Sequence, residues 1–97
     1  MISEQDKVTI VEIARRYDVG GVILFSSSAD PKIEANDIDL AVEGIAPEKF
    51  FRFYGDLLFG LSKPVDLIDL SSKTKFNRLV YREGIRLYGQ SGNLNCQ

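Results

Sequence analysis

The chain has 97 residues, 44% of them hydrophobic and 27% charged, with a formal net charge of −2. These values predict one globular domain with a single modest core, and the lack of a basic tract removes any electrostatic argument for a broad nucleic-acid footprint. Histidine is absent and Cys96 is the one cysteine, which excludes Ser-His and Cys-His catalysis, zinc sites and an intrachain disulfide. Chemistry on this chain must use carboxylates, hydroxyls, lysines, arginines and a bound metal. The apolar runs are too short to span a bilayer, and the opening Met1-Ile-Ser-Glu-Gln-Asp6 has neither the basic nor the apolar region of a leader. With the lone cysteine, this predicts a cytoplasmic protein without a membrane segment.

A first helix is expected over residues 4–17, with Ser3 as N-cap and Asp6 in the first turn. Ile10, Ile13, Ala14 and Tyr17 recur at helical spacing, with Val8 and Val11 alongside. Gly20 and Gly21 then give the backbone freedom for a turn. Val22–Phe25 is a short continuous apolar run, as expected of a strand buried on both faces. Residues 26–36 form a polar loop that opens with three serines, and residues 37–42 form a second strand closed by Gly44. A second helix follows, with Pro47 near its first turn and an apolar stripe of Phe50, Tyr54, Leu57, Leu58 and Leu61. Lys63-Pro64 breaks the chain before a third strand, Val65–Leu70. Ser71 or Ser72 caps a third helix running to about Glu83, with Phe76, Leu79 and Val80 facing inward and Gly84 as its C-cap. Ile85–Tyr88 makes a final short strand. This predicts an α/β domain over residues 1–89 and a flexible tail over residues 90–97.

The chemistry concentrates in Asn36-Asp-Ile-Asp-Leu40. Residues two apart on a strand share a face, so Asp37 and Asp39 lie side by side. Adjacent carboxylates repel unless a cation or proton sits between them, and Mg²⁺ held by carboxylates and substrate phosphates is the natural resolution. An isolated Asp-x-Asp is more often simply a solvated polar face on an edge strand. Here Ile38, Leu40 and Val42 form a regular apolar face opposite the aspartates, which makes the strand a packed, directional element. A turn of small residues before it can aim N–H groups and hydroxyls at phosphate oxygens. Asp66 is a third candidate. If the third strand neighbours the second, it serves as general base on an attacking hydroxyl or helps bind a second metal. Asp69 has the opposite strand parity and reads as a capping group near Ser71. The pattern points to phosphoryl or nucleotidyl transfer.

Together these residues resemble the minimal nucleotidyltransferases of the DNA polymerase beta superfamily. The matching pattern is Phe25-Ser-Ser27, nine intervening residues, Asp37-Ile-Asp39, and Val65-Asp-Leu67 on a later strand. Asn77–Tyr88 looks like the family's last helix and strand. The resemblance implies a small mixed β-sheet with helices packed on it, with Ser26 and Ser27 binding the nucleotide. It implies Asp37, Asp39 and Asp66 as metal ligands, with Asp66 also priming the acceptor hydroxyl. Mg²⁺ and ATP, or another nucleoside triphosphate, are the implied cofactor and donor. Two positions depart from the family pattern: Ser26 replaces a glycine, and Ser28 replaces a basic residue, for which Lys32 or Lys63 would have to substitute.

Units this small resemble the antitoxins of HEPN/MNT toxin–antitoxin pairs, which transfer AMP to a tyrosine hydroxyl of a HEPN-type toxin. Two alternatives are a catalytically weak module that neutralises its partner by contact, and a small-molecule nucleotidyltransferase. At about 100° per residue, Phe59 lies opposite the stripe of the second helix, with Phe51 and Phe53 on its flanks. The helix therefore suggests contact with a partner protein or a second copy, the alternative being that other parts of the domain cover these rings.

Overall fold

The computed structural model describes residues 2–34 and 36–89. The tail expected over residues 90–97 lies outside the described residues. The elements are α1 (Glu4–Arg16), β1 (Gly21–Leu24), a 3₁₀ turn (Ser26–Ala29), β2 (Ile38–Glu43), α2 (Pro47–Gly60), β3 (Val65–Asp69), α3 (Lys75–Glu83) and β4 (Ile85–Gly89). The strands form one mixed sheet in the order β3-β2-β1-β4. β1 pairs antiparallel with β2 and β4, whereas β2 and β3 are parallel.

Strand alternation divides the interior between the two sheet faces. Val22, Leu24, Ile38, Leu40, Val42 and Val65 pack with Ile10, Ile13, Phe53 and Leu57 of α1 and α2 in the main core. Ile23 and Ala41 project the other way and meet Leu70 and Val80 of the α3 side in a second, smaller cluster. Two close approaches need glycine. A Cβ on Gly44, at φ +68°, would stand 2.9 Å from the Gly20 nitrogen, and one on Gly84 would stand 2.4 Å from the Ile23 side chain. Gly84 therefore seats the end of α3 directly on β1.

Ser3 caps α1 by accepting from the Asp6 amide at 3.1 Å. Asp6 does more than favour the helix dipole. It is buried, and its carboxylate accepts from the Ser62 hydroxyl at 2.6 Å, tying the start of α1 to the end of α2. After Tyr17, the left-handed residue is Asp18 (φ +52°) rather than either glycine; aspartate tolerates this conformation better than most residues.

Three helix expectations change. On α2, Phe53 lies at the centre of the buried face, edge-on to Tyr17 at 5.6 Å, while Leu58 is half exposed. The helix packs against both α1 and the sheet, so it buries a broader arc than one stripe. α3 starts later than expected, because Thr74 is its N-cap and accepts from the Asn77 amide at 3.0 Å. Ser71 and Ser72 belong to the preceding turn, where the Ser71 amide donates to Asp69 and the Ser72 carbonyl accepts from Asn77. Finally, of the three α3 residues expected to face inward only Val80 is buried; Phe76 is 51% and Leu79 41% exposed. No described helix is long and apolar enough to cross a membrane.

The exposures on α2 predict contrasting substitutions. Phe53→Ala should cost about 3–5 kcal/mol, whereas Phe59→Ala, at a residue 96% exposed, should change stability by no more than about 0.5 kcal/mol. Urea midpoints of the two variants check this; similar losses would contradict the packing described.

Candidate active site

The candidate site forms where β2 enters the sheet. Pro64 has no N–H to donate, but its carbonyl accepts from the Ile38 amide at 2.8 Å, and this bond opens the β2–β3 ladder. The ladder cannot extend back by the same pattern, so Asp37 stands one residue outside the strand in which it was expected. Within the ladder the parallel register pairs Ile38 with Val65 and Asp39 with Asp66. Adjacent strands lie roughly 4.8 Å apart, so Asp39 and Asp66 share one face as near neighbours. Asp69 has the opposite parity and caps the Ser71 amide at 2.9 Å, as expected.

The serine turn is fastened to this strand by Ser28, which the sequence marked only as standing in place of a basic residue. Ser28 is fully buried. Its hydroxyl donates to the Asp37 carbonyl and accepts from the Asp39 amide, both at 2.9 Å. One side chain thus satisfies the backbone between the two aspartates, where no neighbouring strand is available. A serine run between strands carries no signal for this fastening role, which could equally have fallen to Ser26 or Ser27.

Ser26 has a different role. Its backbone is left-handed (φ +61°), a conformation that costs a residue with a Cβ roughly 1–2 kcal/mol. Its hydroxyl hydrogen-bonds the Asp39 carboxylate. Ser27 lies in the same 3₁₀ turn.

These contacts set the electrostatics of Asp39. Burial pushes its carboxyl above the usual aspartate value, and the charges of Asp66 and then Asp37 push it further in the same direction. The Ser26 hydrogen bond offsets part of this. Asp37, Asp39 and Asp66 offer only oxygen donors, the type that a hard divalent cation takes. Among the described residues no three acidic, histidine or cysteine side chains are already gathered into a cation cage, so a cation here would take further ligands from phosphate oxygens or water.

The family model Polymerase beta, Nucleotidyltransferase matches residues 8–93. No curated protein sequence matches the chain. Among solved structures, the chain is similar to one from a toxin–antitoxin complex with AMP-PNP. That match has a TM-score of 0.71 and 26% identity, over 87% of this chain and 73% of the other. A chain from the complex of tri-AMPylated Shewanella oneidensis HEPN toxin with MNT antitoxin matches with a TM-score of 0.67 and 25% identity, over 88% and 71%. A chain from the MntA–HepT toxin–antitoxin structure, 23% identical, shares the fold with a TM-score of 0.69 over 91% and 74%.

Two outcomes follow from the site geometry. Ser28→Ala removes a buried hydroxyl and leaves two backbone groups unpaired, so it should cost about 1–3 kcal/mol; a urea midpoint matching wild type would contradict the fastening role. Asp39→Asn should stabilise the fold at neutral pH. With its folded pKa raised, Asp39 favours folding only in its protonated form at low pH, and that contribution is lost as pH rises through the folded value. The variant's advantage in Tm should therefore shrink as pH falls below the usual carboxylate range. An advantage independent of pH would show that charge is not its cause.

Proposed function

This chain belongs to the polymerase beta nucleotidyltransferase family, and we propose that it is a Mg²⁺-dependent enzyme transferring AMP from ATP to a hydroxyl of a HEPN-type partner protein. The observation carrying this reading is the parallel register that sets Asp66 beside Asp39, with Asp37 one residue before the strand and the serine turn fastened beneath them. On this reading residues 1–89 form a single nucleotidyltransferase unit. An ATP donor fits a cytoplasmic setting.

Asp37, Asp39 and Asp66 would hold the metal, and when bound it would neutralise the charge of the triphosphate. Ser26 and Ser27 lie in the turn that would orient the phosphates. Asp66 takes the proton of the acceptor hydroxyl, whose oxygen then bonds to the α-phosphorus. The bond from that phosphorus to the bridging oxygen breaks, pyrophosphate leaves with that electron pair, and the proton passes from Asp66 to water. The raised pKa of Asp39 supports the metal assignment, because a cation would relieve the repulsion that raises it. The partner assignment is supported by two of the similar structures: a toxin–antitoxin complex with AMP-PNP and a tri-AMPylated HEPN toxin with its MNT antitoxin.

One observation favours a second reading, neutralisation by contact alone. Ser26 keeps a side chain at a left-handed position, where it can crowd a bound triphosphate.

The test incubates the chain with α-labelled ATP, Mg²⁺ and the product of the neighbouring reading frame. Label should appear on that product, and Asp37→Ala/Asp39→Ala or removal of Mg²⁺ by a chelator should abolish transfer. Tight partner binding without transfer, unchanged by the double substitution, would instead establish the contact module.

A further inference from the structure

Phe76 and Leu79 are too exposed for core residues because they line a cleft. A cavity of about 300 Å³ opens between the end of β1 and α3, walled by Phe25, Phe76 and Leu79, with Ser26 and Glu83 also in its lining. Phe25 and Phe76 meet edge to face, with centroids 5.8 Å apart. The cavity adjoins the carboxylates. Ser26 lines it and also hydrogen-bonds Asp39, and Val80 of its wall packs with Ile23 and Ala41 on the sheet face that carries Asp39.

We propose that this cleft holds the nucleobase of the donor triphosphate, and that Glu83 favours bases bearing an exocyclic amino group over uracil. The assignment rests on the nucleotidyl-transfer reading and adds to it the place and selectivity of base recognition. Strand order separates donor from acceptor. Asp66 is on β3, Asp39 on β2, and the cleft at the end of β1, so the cleft lies two strand spacings, roughly 10 Å, from Asp66. A hydroxyl deprotonated by Asp66 must lie within hydrogen-bond reach of it, which puts the acceptor on the β3 side and leaves the cleft to the donor.

Aromatic and aliphatic walls offer phosphates nothing, whereas a base is apolar on its faces and polar at its edge. The volume is at the small end of ligand clefts, which run roughly 300–1,000 Å³, and suits a base rather than a whole nucleotide. An ionised Glu83 only accepts hydrogen bonds, so it pairs with an amino group. The imide N–H of uracil is instead flanked by two carbonyl oxygens that repel a carboxylate. The ion pair of Glu83 with Arg82 is long, at 3.7 Å, and exposed, too weak to hold the carboxylate away from a base.

Calorimetric titration with ATP, UTP and inorganic tripolyphosphate, all with Mg²⁺, tests this. Wild type should bind ATP more tightly than UTP or tripolyphosphate. Phe76→Ala should weaken ATP binding about tenfold, as expected for a lost stacking wall, and leave tripolyphosphate affinity unchanged, which also shows the variant is folded. Glu83→Ala should narrow the gap between ATP and UTP. The proposal fails if Phe76→Ala leaves ATP affinity intact, lowers ATP and tripolyphosphate alike, or impairs only transfer to the partner, which would give the cleft to the acceptor. The Glu83 assignment fails if the ATP-to-UTP ratio does not move. If wild type binds neither ATP nor tripolyphosphate, the nucleotidyl-transfer reading falls together with the cleft assignment.

Discussion

The parallel pairing of β2 with β3 is the constraint on which the rest of the molecule depends. Parallel neighbours cannot be joined by a tight turn, so α2 must cross over a face of the sheet, and there it meets α1 to form the main core. The same pairing fixes the register that brings Asp39 beside Asp66. A single change of strand direction would dissolve both the crossover and the carboxylate alignment. Fold and candidate chemistry are therefore consequences of one hydrogen-bond ladder.

That alignment has a local cost. Asp39 is partly desolvated between two other negative charges, and Ser26 adopts a backbone conformation unfavourable for a residue with a Cβ. The surrounding contacts offset this without removing it. Ser28 satisfies the backbone on both sides of Ile38, and the Ser26 hydroxyl partly counters the burial of Asp39. Strain and like charge accumulate at functional sites because the surrounding structure over-determines the geometry. The serine turn thus contributes to the carboxylates as well as to any phosphate.

Much of this was legible in the residues themselves. Val22–Phe25, as a short continuous apolar run, and Ile38–Val42, with apolar residues in alternation, read as strands without tertiary information. The order of elements implied an α/β domain, and the mixed sheet was implied by the family resemblance. The start of α3 was not legible, because Ser71, Ser72 and Thr74 are all competent caps. The choice among them depends on Asp69 and Asn77, which hold the two serines in the turn. Phe53 and Leu58 exchange roles because periodicity gives one stripe, whereas α2 is packed on two sides. Phe76 and Leu79 read as core because an apolar face on a helix does not reveal whether a cleft lies opposite it. Asp37 was placed in β2 because alternation carries no information on where the partner strand begins, a limit set by Pro64.

The unequal division of the interior has a dynamic consequence. Among the described residues, the main core draws on both long helices, whereas the cluster on the α3 side consists of Ile23, Ala41, Leu70 and Val80. Local opening free energy follows the apolar contacts that must be broken. Amide protons of α3 should therefore exchange with solvent sooner than those of α1 or the central strands. The face carrying Asp39 is the softer face of the molecule, and a ligand bridging the serine turn and α3 would restrain its breathing.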